Sequence, residues 1–245
     1  MKLTEVWHPN EQSQLICFWS GVAAVVLFWL ATWPIAGFIP PPQPNLDGSG
    51  LLLKYSDNLL GVRLGIILGL FAAILFVPWS TVLAIQVGRM ESGIPVLGIM
   101  CFGAGIANAV AFYLPFVFWA AAYYRLERSP ELVLLLSDMA WLEFVMLVPP
   151  FALQTVAVAI AGLKYKGETK SPFPRWFCYF SLWVALLVFP GAVAIYFFSG
   201  PFAWNGLLAF WLPVAVFCIY FSVTFPLVYK SIRQHARHEM AEFTR

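Results

Sequence analysis

The chain contains few charged residues for its length. Only 11% of its 245 residues are Asp, Glu, Lys or Arg, whereas 61% are hydrophobic. In an ordinary soluble domain about a quarter of the residues are charged, so this composition excludes a water-soluble globular protein. The formal net charge is only +2, and most basic residues fall in two clusters, 164–175 and 230–245. Such clusters are typical of membrane-flanking segments, and we predict no nucleic-acid partner.

Histidine is equally scarce, and its positions exclude several kinds of membrane enzyme. His8, His235 and His238 all lie outside the long apolar runs. A haem, di-iron, copper or catalytic zinc site inside the membrane would need histidines within those runs. The chain also lacks a phosphate-binding glycine loop, a Gly-x-Ser-x-Gly elbow and a His-Glu-x-x-His helix. We therefore predict no metal, no cofactor and no catalytic residue.

Long apolar runs dominate what remains. A span needs about 20 mostly apolar residues, and runs without barrel-type alternation must be helices, because lipid cannot satisfy backbone polar groups. We predict an all-α membrane protein, a helical bundle of about six transmembrane helices that forms a single domain over 1–245. Splitting the third or fourth run, at Gly103-Ala104-Gly105 or at Pro149-Pro150, would give seven or eight spans instead. The six spans are placed near 15–38, 59–87, 94–124, 132–162, 175–198 and 205–229.

Lysine and arginine are divided unequally between the two sides that six spans create. Positive charge in short connections favours the cytoplasmic side, so we predict that both termini are cytoplasmic. The richer side would hold ten such residues, namely Lys2, Arg89, Lys164, Lys166, Lys170, Arg175, Lys230, Arg233, Arg237 and Arg245. The other side would hold four, namely Lys54, Arg63, Arg125 and Arg128.

Three ionisable residues fall within predicted spans. Arg63 is one turn inside the second span, Asp138 is two turns inside the fourth, and Glu143 is near its middle. Charge in hydrocarbon is costly, so all three are expected to avoid lipid. Arg63 either reaches the outer headgroups or pairs with Asp138, and that pair would make the second and fourth spans neighbours on the outer half. Glu143 is either a functional acid or a protonated structural hydrogen bonder.

Two amides complete the candidate polar site. Asn108 lies in the third predicted span and Gln154 in the fourth. At 100° per residue, Gln154 shares a helix face with Glu143, whereas Asp138 lies on another face. Each amide is either a hydrogen bonder between helices or a ligand contact. We predict an intramembrane polar site, for a ligand or for helix association, from Arg63, Asp138, Glu143, Asn108 and Gln154.

Small residues at a spacing of four mark two candidate packing faces. Gly61, Gly65 and Gly69 form the clearer stripe in the second span, and Gly103 begins another in the third. Such stripes let neighbouring backbones approach closely. The partner is either another helix of the same chain or a second subunit, so a homo-oligomer or other membrane subunits are expected partners besides the lipid bilayer.

Two short segments that flank the fifth span carry a family resemblance. At Pro174-Arg175-Trp176 and at 200–206, GPFAWNG, the chain resembles a family of uncharacterised bacterial multispan integral membrane proteins. The Pro-rich first connection and the Tyr55–Arg63 segment extend this resemblance. It implies a multi-pass protein of the bacterial inner (plasma) membrane and adds no catalytic role. Trp176 and Trp204 would be aromatic anchors at opposite interfaces.

Three functions fit these features. The preferred one is a non-enzymatic protein, either an accessory or scaffold subunit of a membrane complex or a binder of an apolar, lipid-like ligand. The first alternative is a small oligomeric transporter that uses Glu143 and Arg63. The second alternative is a metal-free membrane enzyme that acts on a lipophilic substrate with Asp138 or Glu143 as general acid.

The predicted orientation is testable with two single cysteines in a cysteine-free background. Asp47→Cys lies in the first outer connection, and Glu168→Cys lies in a predicted cytoplasmic connection. An impermeant thiol reagent should label position 47 in intact cells and should label position 168 only after permeabilisation. The opposite pattern would show that the topology is inverted.

Overall fold

A computed structural model describes residues 11–125, 127–167 and 171–243, with side-chain surroundings up to 236. Every regular element in these ranges is a helix. Six helical segments are long and apolar enough to cross a membrane, so the prediction of an all-helical protein with six spans is confirmed. These spans are Glu11–Ile35, Leu59–Gly88, Val96–Tyr123, Pro130–Lys164, Arg175–Tyr196 and Leu207–Ala236.

The described residues form eight α-helices and three shorter helical turns, and all of these elements except α2 belong to the spans. Several spans combine an α-helix with a π-helical or 3₁₀ turn, and the fourth consists of two α-helices. In chain order the elements are α1 (Glu11–Leu30), a π turn (Ala31–Ile35), α2 (Gly48–Ser56), α3 (Leu59–Gly88), α4 (Val96–Tyr123), α5 (Pro130–Val145), α6 (Val148–Lys164), α7 (Arg175–Leu187), a 3₁₀ turn (Phe189–Tyr196), a π turn (Leu207–Trp211) and α8 (Leu212–Phe243).

The start of α1 and the end part of α8 lie at the same end of the bundle. Arg233 Nη1 is 2.7 Å from Glu11 Oε1, which joins the first and last spans there. We call this the terminal end, and we call the opposite one the α2 end. At the α2 end, Asp47 directly precedes α2, and its carboxylate accepts a hydrogen bond from the Gly50 N–H at 2.8 Å. Asp47 therefore caps the helix.

The third span, α4, lies between α3 of the second span and α5 of the fourth, which the sequence-based prediction placed side by side. α3 packs mainly against α1 and α4, and α5 packs against α4 and α2. The second span contacts the fourth span only weakly, at α6, and α6 is the half of the fourth span that lies toward the terminal end. The prediction that these two spans are neighbours on the outer half is therefore wrong, because α4 occupies that position.

The first glycine stripe packs inside the chain. A Cβ added at Gly65 would stand 2.6 Å from the Ala31 carbonyl oxygen and 2.6 Å from Ala36 Cβ. A Cβ added at Gly61 would overlap the carbonyl oxygen of Ile35 at the end of the first span, and one added at Gly69 would overlap the Phe116 ring of α4. Gly103 is different, because a Cβ there would meet nothing within 4 Å. Within the described residues, Gly103 thus lies on an open face of α4.

Only one of the two candidate breaks interrupts its helix. α4 runs unbroken through 103–105, whereas α5 ends at Val145 and α6 begins at Val148. Pro149 and Pro150 lack the N–H groups that would bond the carbonyls four residues earlier, which explains the interruption just before them. The segment still crosses as one span from Pro130 to Lys164.

The different surroundings of Gly65 and Gly103 predict that substitution by leucine destabilises the fold at one position and has little effect at the other. Gly65→Leu should destabilise the fold by about 1–3 kcal/mol or more, because its side chain overlaps the backbone of the first span. Gly103→Leu should stay within about 0.5 kcal/mol of the wild type. Thermal unfolding of both variants in the same detergent measures the difference. Equal stability of the two variants would contradict the packing described for Gly65.

Candidate functional site

Two of the five predicted polar residues meet in the middle of the bundle. Asn108 Nδ2 donates to Gln154 Oε1 at 3.2 Å. Gln154 Nε2 donates to the Cys101 carbonyl at 3.2 Å and lies 3.5 Å from Ser80 Oγ. Asn108 and Gln154 are only 5% and 6% exposed. The cluster joins α3, α4 and α6, and we call it the central amide cluster.

A glycine makes room for the central amide cluster. A Cβ added at Gly105 would stand 2.6 Å from Gln154 Nε2 and would overlap the Ser80 side chain. Asn108 Oδ1 is buried without a hydrogen-bond partner among the described residues. The cluster contains no carboxylate or histidine, so its chemistry is hydrogen bonding between helices, with one acceptor left over.

Arg63 lies elsewhere and caps a helix. Its Nη2 donates to the Tyr124 carbonyl at 3.1 Å and to the Tyr123 carbonyl at 3.3 Å. These carbonyls end α4, where a cation is favoured by the helix dipole and by the unpaired carbonyl groups. The structure contains no ion pair between Arg63 and Asp138, so that hypothesis is wrong for the described residues. Arg63 is exposed on the bundle surface, which is compatible with the alternative in which it reaches the outer headgroups, and that alternative stays a prediction.

The two acids of the fourth span also lie apart from the central amide cluster. Asp138 and Glu143 are half-buried, and neither makes a hydrogen bond or ion pair with a described residue. The buried face of α5 carries Ser137, Ala140 and Trp141 instead. The five candidate residues therefore occupy separate places, and only Asn108 and Gln154 are in contact. Whether either acid has a function stays a prediction.

A second polar network lies at the terminal end. Gln86 Nε2 donates to Gln14 Oε1 at 3.0 Å, and Gln86 Oε1 accepts from Ser231 Oγ at 2.7 Å and from Arg89 Nη1 at 2.8 Å. This network connects α1, α3 and α8. Sequence reasoning missed it, although glutamines at 14 and 86 in or beside apolar runs were an available signal.

An aromatic cluster fills the α2 end. The rings of Phe38 and Trp119 lie 4.3 Å apart, and those of Trp119 and Trp141 lie 5.1 Å apart in an edge-to-face arrangement. Tyr55 of α2 packs edge-to-face on Phe38 at 5.5 Å. Burial raises the pKa of the Tyr55 hydroxyl, because the ionised form would lose its hydration there. These contacts attach α2 to the bundle.

An apolar cavity lies between α1, α4, the α5–α6 junction and α8. Its volume is about 80 Å³ and it is partly open. None of its lining side chains is charged, and Trp29 is the only one with a polar atom. Stacked rings border it, since Phe28 and Phe144 are nearly parallel at 5.8 Å. Six phenylalanines supply most of the wall, namely Phe28, Phe112, Phe144, Phe151, Phe210 and Phe217.

Three interrupted spans meet beside this apolar cavity. A Cβ added at Gly191 would stand 2.6 Å from the Val145 carbonyl oxygen and 3.5 Å from that of Ala209. Pro149 has no N–H for the first carbonyl, and Pro213 has none for the second. Because residue 191 is a glycine, the 3₁₀ turn of the fifth span can approach the end of α5 and the π turn that precedes α8. The cavity exists because these helices do not continue straight through the position that it occupies.

Trp204 differs from the expected interface anchor. It is only 8% exposed, and its Nε1 donates to the Pro42 carbonyl at 2.9 Å. It therefore fastens the 197–206 connection to the Pro-rich first connection. Trp176, at 57% exposure, has the exposed position that an aromatic anchor needs.

Comparison with protein-family models, curated proteins and solved structures found no match. The six apolar spans define the chain as a multi-pass helical membrane protein. The resemblance to a bacterial family, the inner-membrane location and the cytoplasmic termini remain predictions.

The central amide cluster and Glu143 predict contrasting effects on stability. Gln154→Leu should destabilise the fold by about 1–3 kcal/mol, because it leaves the buried Asn108 side-chain N–H group without its acceptor. Glu143→Leu should keep or raise the thermal unfolding temperature, since Glu143 has no described hydrogen bond to lose. Unfolding of both variants in one detergent tests the contrast. A stable Gln154→Leu variant, or an unfolded Glu143→Leu variant, would contradict it.

Proposed function

We propose that the protein binds the hydrocarbon tail of a lipid-like ligand in the apolar cavity and does not transform it. The observation that carries this proposal is the cavity wall, in which aromatic and aliphatic side chains surround a partly open space. Small-molecule sites are typically concave and mostly apolar. A wall without charged groups favours a ligand segment that is itself without charge.

The cavity volume limits what enters it. A cavity of about 150 Å³ lined by aliphatic and aromatic side chains accepts benzene, and this one measures about 80 Å³. Only the end of a chain fits, with the rest of the ligand outside between the helices. Lipid tails are as apolar as the cavity wall, so the fit of the chain end against the wall, and not its removal from water, must favour the bound tail over bulk lipid.

The contents of the wall support binding over catalysis or ion transport. None of the lining residues is an acid, a base or a hydroxyl nucleophile, so the cavity has no group for acid–base chemistry. The transporter alternative relied on Glu143 and Arg63. Arg63 caps α4, which weakens that alternative. A scaffold role has less specific support, since exposed apolar side chains are what any lipid-facing helix carries.

A photoreactive fatty acid tests the proposal. Palmitic acid with a diazirine at its chain end should label peptides 144–151 or 209–217 of the purified protein. Val214→Phe places a larger side chain in the cavity and should lower this labelling severalfold, because the added ring fills the space that the chain end would occupy.

Two variants control the labelling experiment. Val110→Phe makes the same change on the exposed face of α4, where Val110 is 51% exposed, and should leave the labelling unchanged. Glu143→Gln should also leave it unchanged. Labelling spread evenly over all spans, or reduced equally by Val110→Phe, would reject the cavity as the binding site.

A further inference from the structure

A larger cavity of a different character lies at the terminal end. Its volume is about 430 Å³, which is within the range of about 300–1,000 Å³ for small-molecule sites. It is enclosed by the end of α6, the segment that leads into α7, and α8 between Leu227 and Gln234. Arg175 and Lys230 line it together with Trp176 and Leu163. Its wall thus combines two cations with apolar surface.

The two cations have no carboxylate partner among the residues that the structure describes. Of the described carboxylates at the terminal end, Glu11 is paired with Arg233. Glu91 accepts the backbone N–H groups of Leu97 and Gly98 at 3.0 and 2.8 Å, so it caps α4. Neither acid lines the cavity. Within the described part of the chain, the cavity therefore presents positive charge without a neighbouring carboxylate.

The position of the cavity places it at the level of lipid headgroups. Arg175 is the first residue of the fifth span, and Trp176 next to it is 57% exposed, as residues of the aromatic belt are. Phe173 and Leu227 give the wall an apolar part, which suits the start of acyl chains. A freely soluble anion would use the cations and would leave this apolar part without a partner.

We propose that this cavity binds the phosphate-bearing headgroup of an anionic phospholipid. Arg175 and Lys230 supply the opposite charge, with Arg175 able to give a bidentate hydrogen-bonded contact to phosphate oxygens. Basic pockets between transmembrane helices are suited to such headgroups. Leu163 and Trp176 border the glycerol and the first methylenes.

This site is independent of the apolar cavity. Phe177 and Tyr220 stack at 5.7 Å with an angle of 20° between their rings, and both are buried. Along α8, Tyr220 lies between Phe217, which lines the apolar cavity, and Leu227, which lines the basic one. The two cavities are thus separated by packed rings, and Val214→Phe should not change headgroup binding.

Native mass spectrometry of the purified full-length protein tests the proposal. Phosphatidylglycerol and phosphatidylcholine with identical acyl chains are titrated separately, and the wild type should bind phosphatidylglycerol more tightly. The double variant Arg175→Gln, Lys230→Gln should lose about tenfold in phosphatidylglycerol affinity, with phosphatidylcholine binding unchanged. Both side chains are exposed, so thermal unfolding should remain at the wild-type value.

A matched pair of substitutions separates a built site from general surface charge. Lys164→Gln, Lys166→Gln removes two positive charges at the same end, outside the cavity lining, and should retain the preference for phosphatidylglycerol. Lys230→Arg should retain it as well. Equal binding of the two lipids, or equal losses in the two double variants, would overturn the proposal. Displacement of phosphatidylglycerol by an equal concentration of inorganic phosphate would overturn the assignment to a lipid.

Discussion

Hydrogen bonding inside hydrocarbon is the constraint on which the rest of this structure depends. Lipid offers no partner for a buried amide, hydroxyl or carbonyl group, so a partner within the chain is strongly favoured. The central amide cluster shows the result, since Gln154 connects Asn108 to the Cys101 carbonyl. The network of Gln14 and Gln86 does the same at the terminal end. Helix positions are thus fixed by a few polar contacts within a mostly apolar core.

The same constraint explains why charged residues are used at helix ends. Arg63 donates to the last carbonyls of α4, and Glu91 accepts from its first N–H groups. Both ends of this central helix are therefore completed by side chains from outside it. An opposite charge would have been another partner for Arg63, but the free carbonyls of a helix end offer several acceptors at once. The ion pair with Asp138 was a reasonable hypothesis from charge alone and was wrong for this reason.

The spans were predictable from the sequence because they depend on its composition. The polar site was not predictable, since it depends on which helix faces pack against each other. The second span was predicted at 59–87 and is Leu59–Gly88. Glu143 and Gln154 were assigned to one face by counting along a continuous helix. The chain is interrupted between Val145 and Val148, so that count does not hold across the break. Gln154 consequently joins the central amide cluster without Glu143. The contact with Asn108 also requires the space that Gly105 leaves for the Gln154 side chain. That requirement involves two helices, so the pattern of a single helix does not indicate it.

The distribution of breaks divides the bundle by character. The first three spans pack tightly: Gly65 contacts the end of the first span, and the helices α3 and α4 each continue through an internal proline, Pro78 and Pro115. The last three spans are each interrupted or begin with a turn, as the first span ends in one. Both cavities border the last three spans, and α1 and α4 complete the wall of the apolar cavity. A cavity in a close-packed interior costs contacts, so it persists only where the backbone itself prevents closure. Prolines that interrupt α-helices supply that obstacle beside the apolar cavity. The apolar cavity accordingly has one side formed by α1 and α4 and the other formed by the interrupted spans of the second half of the chain.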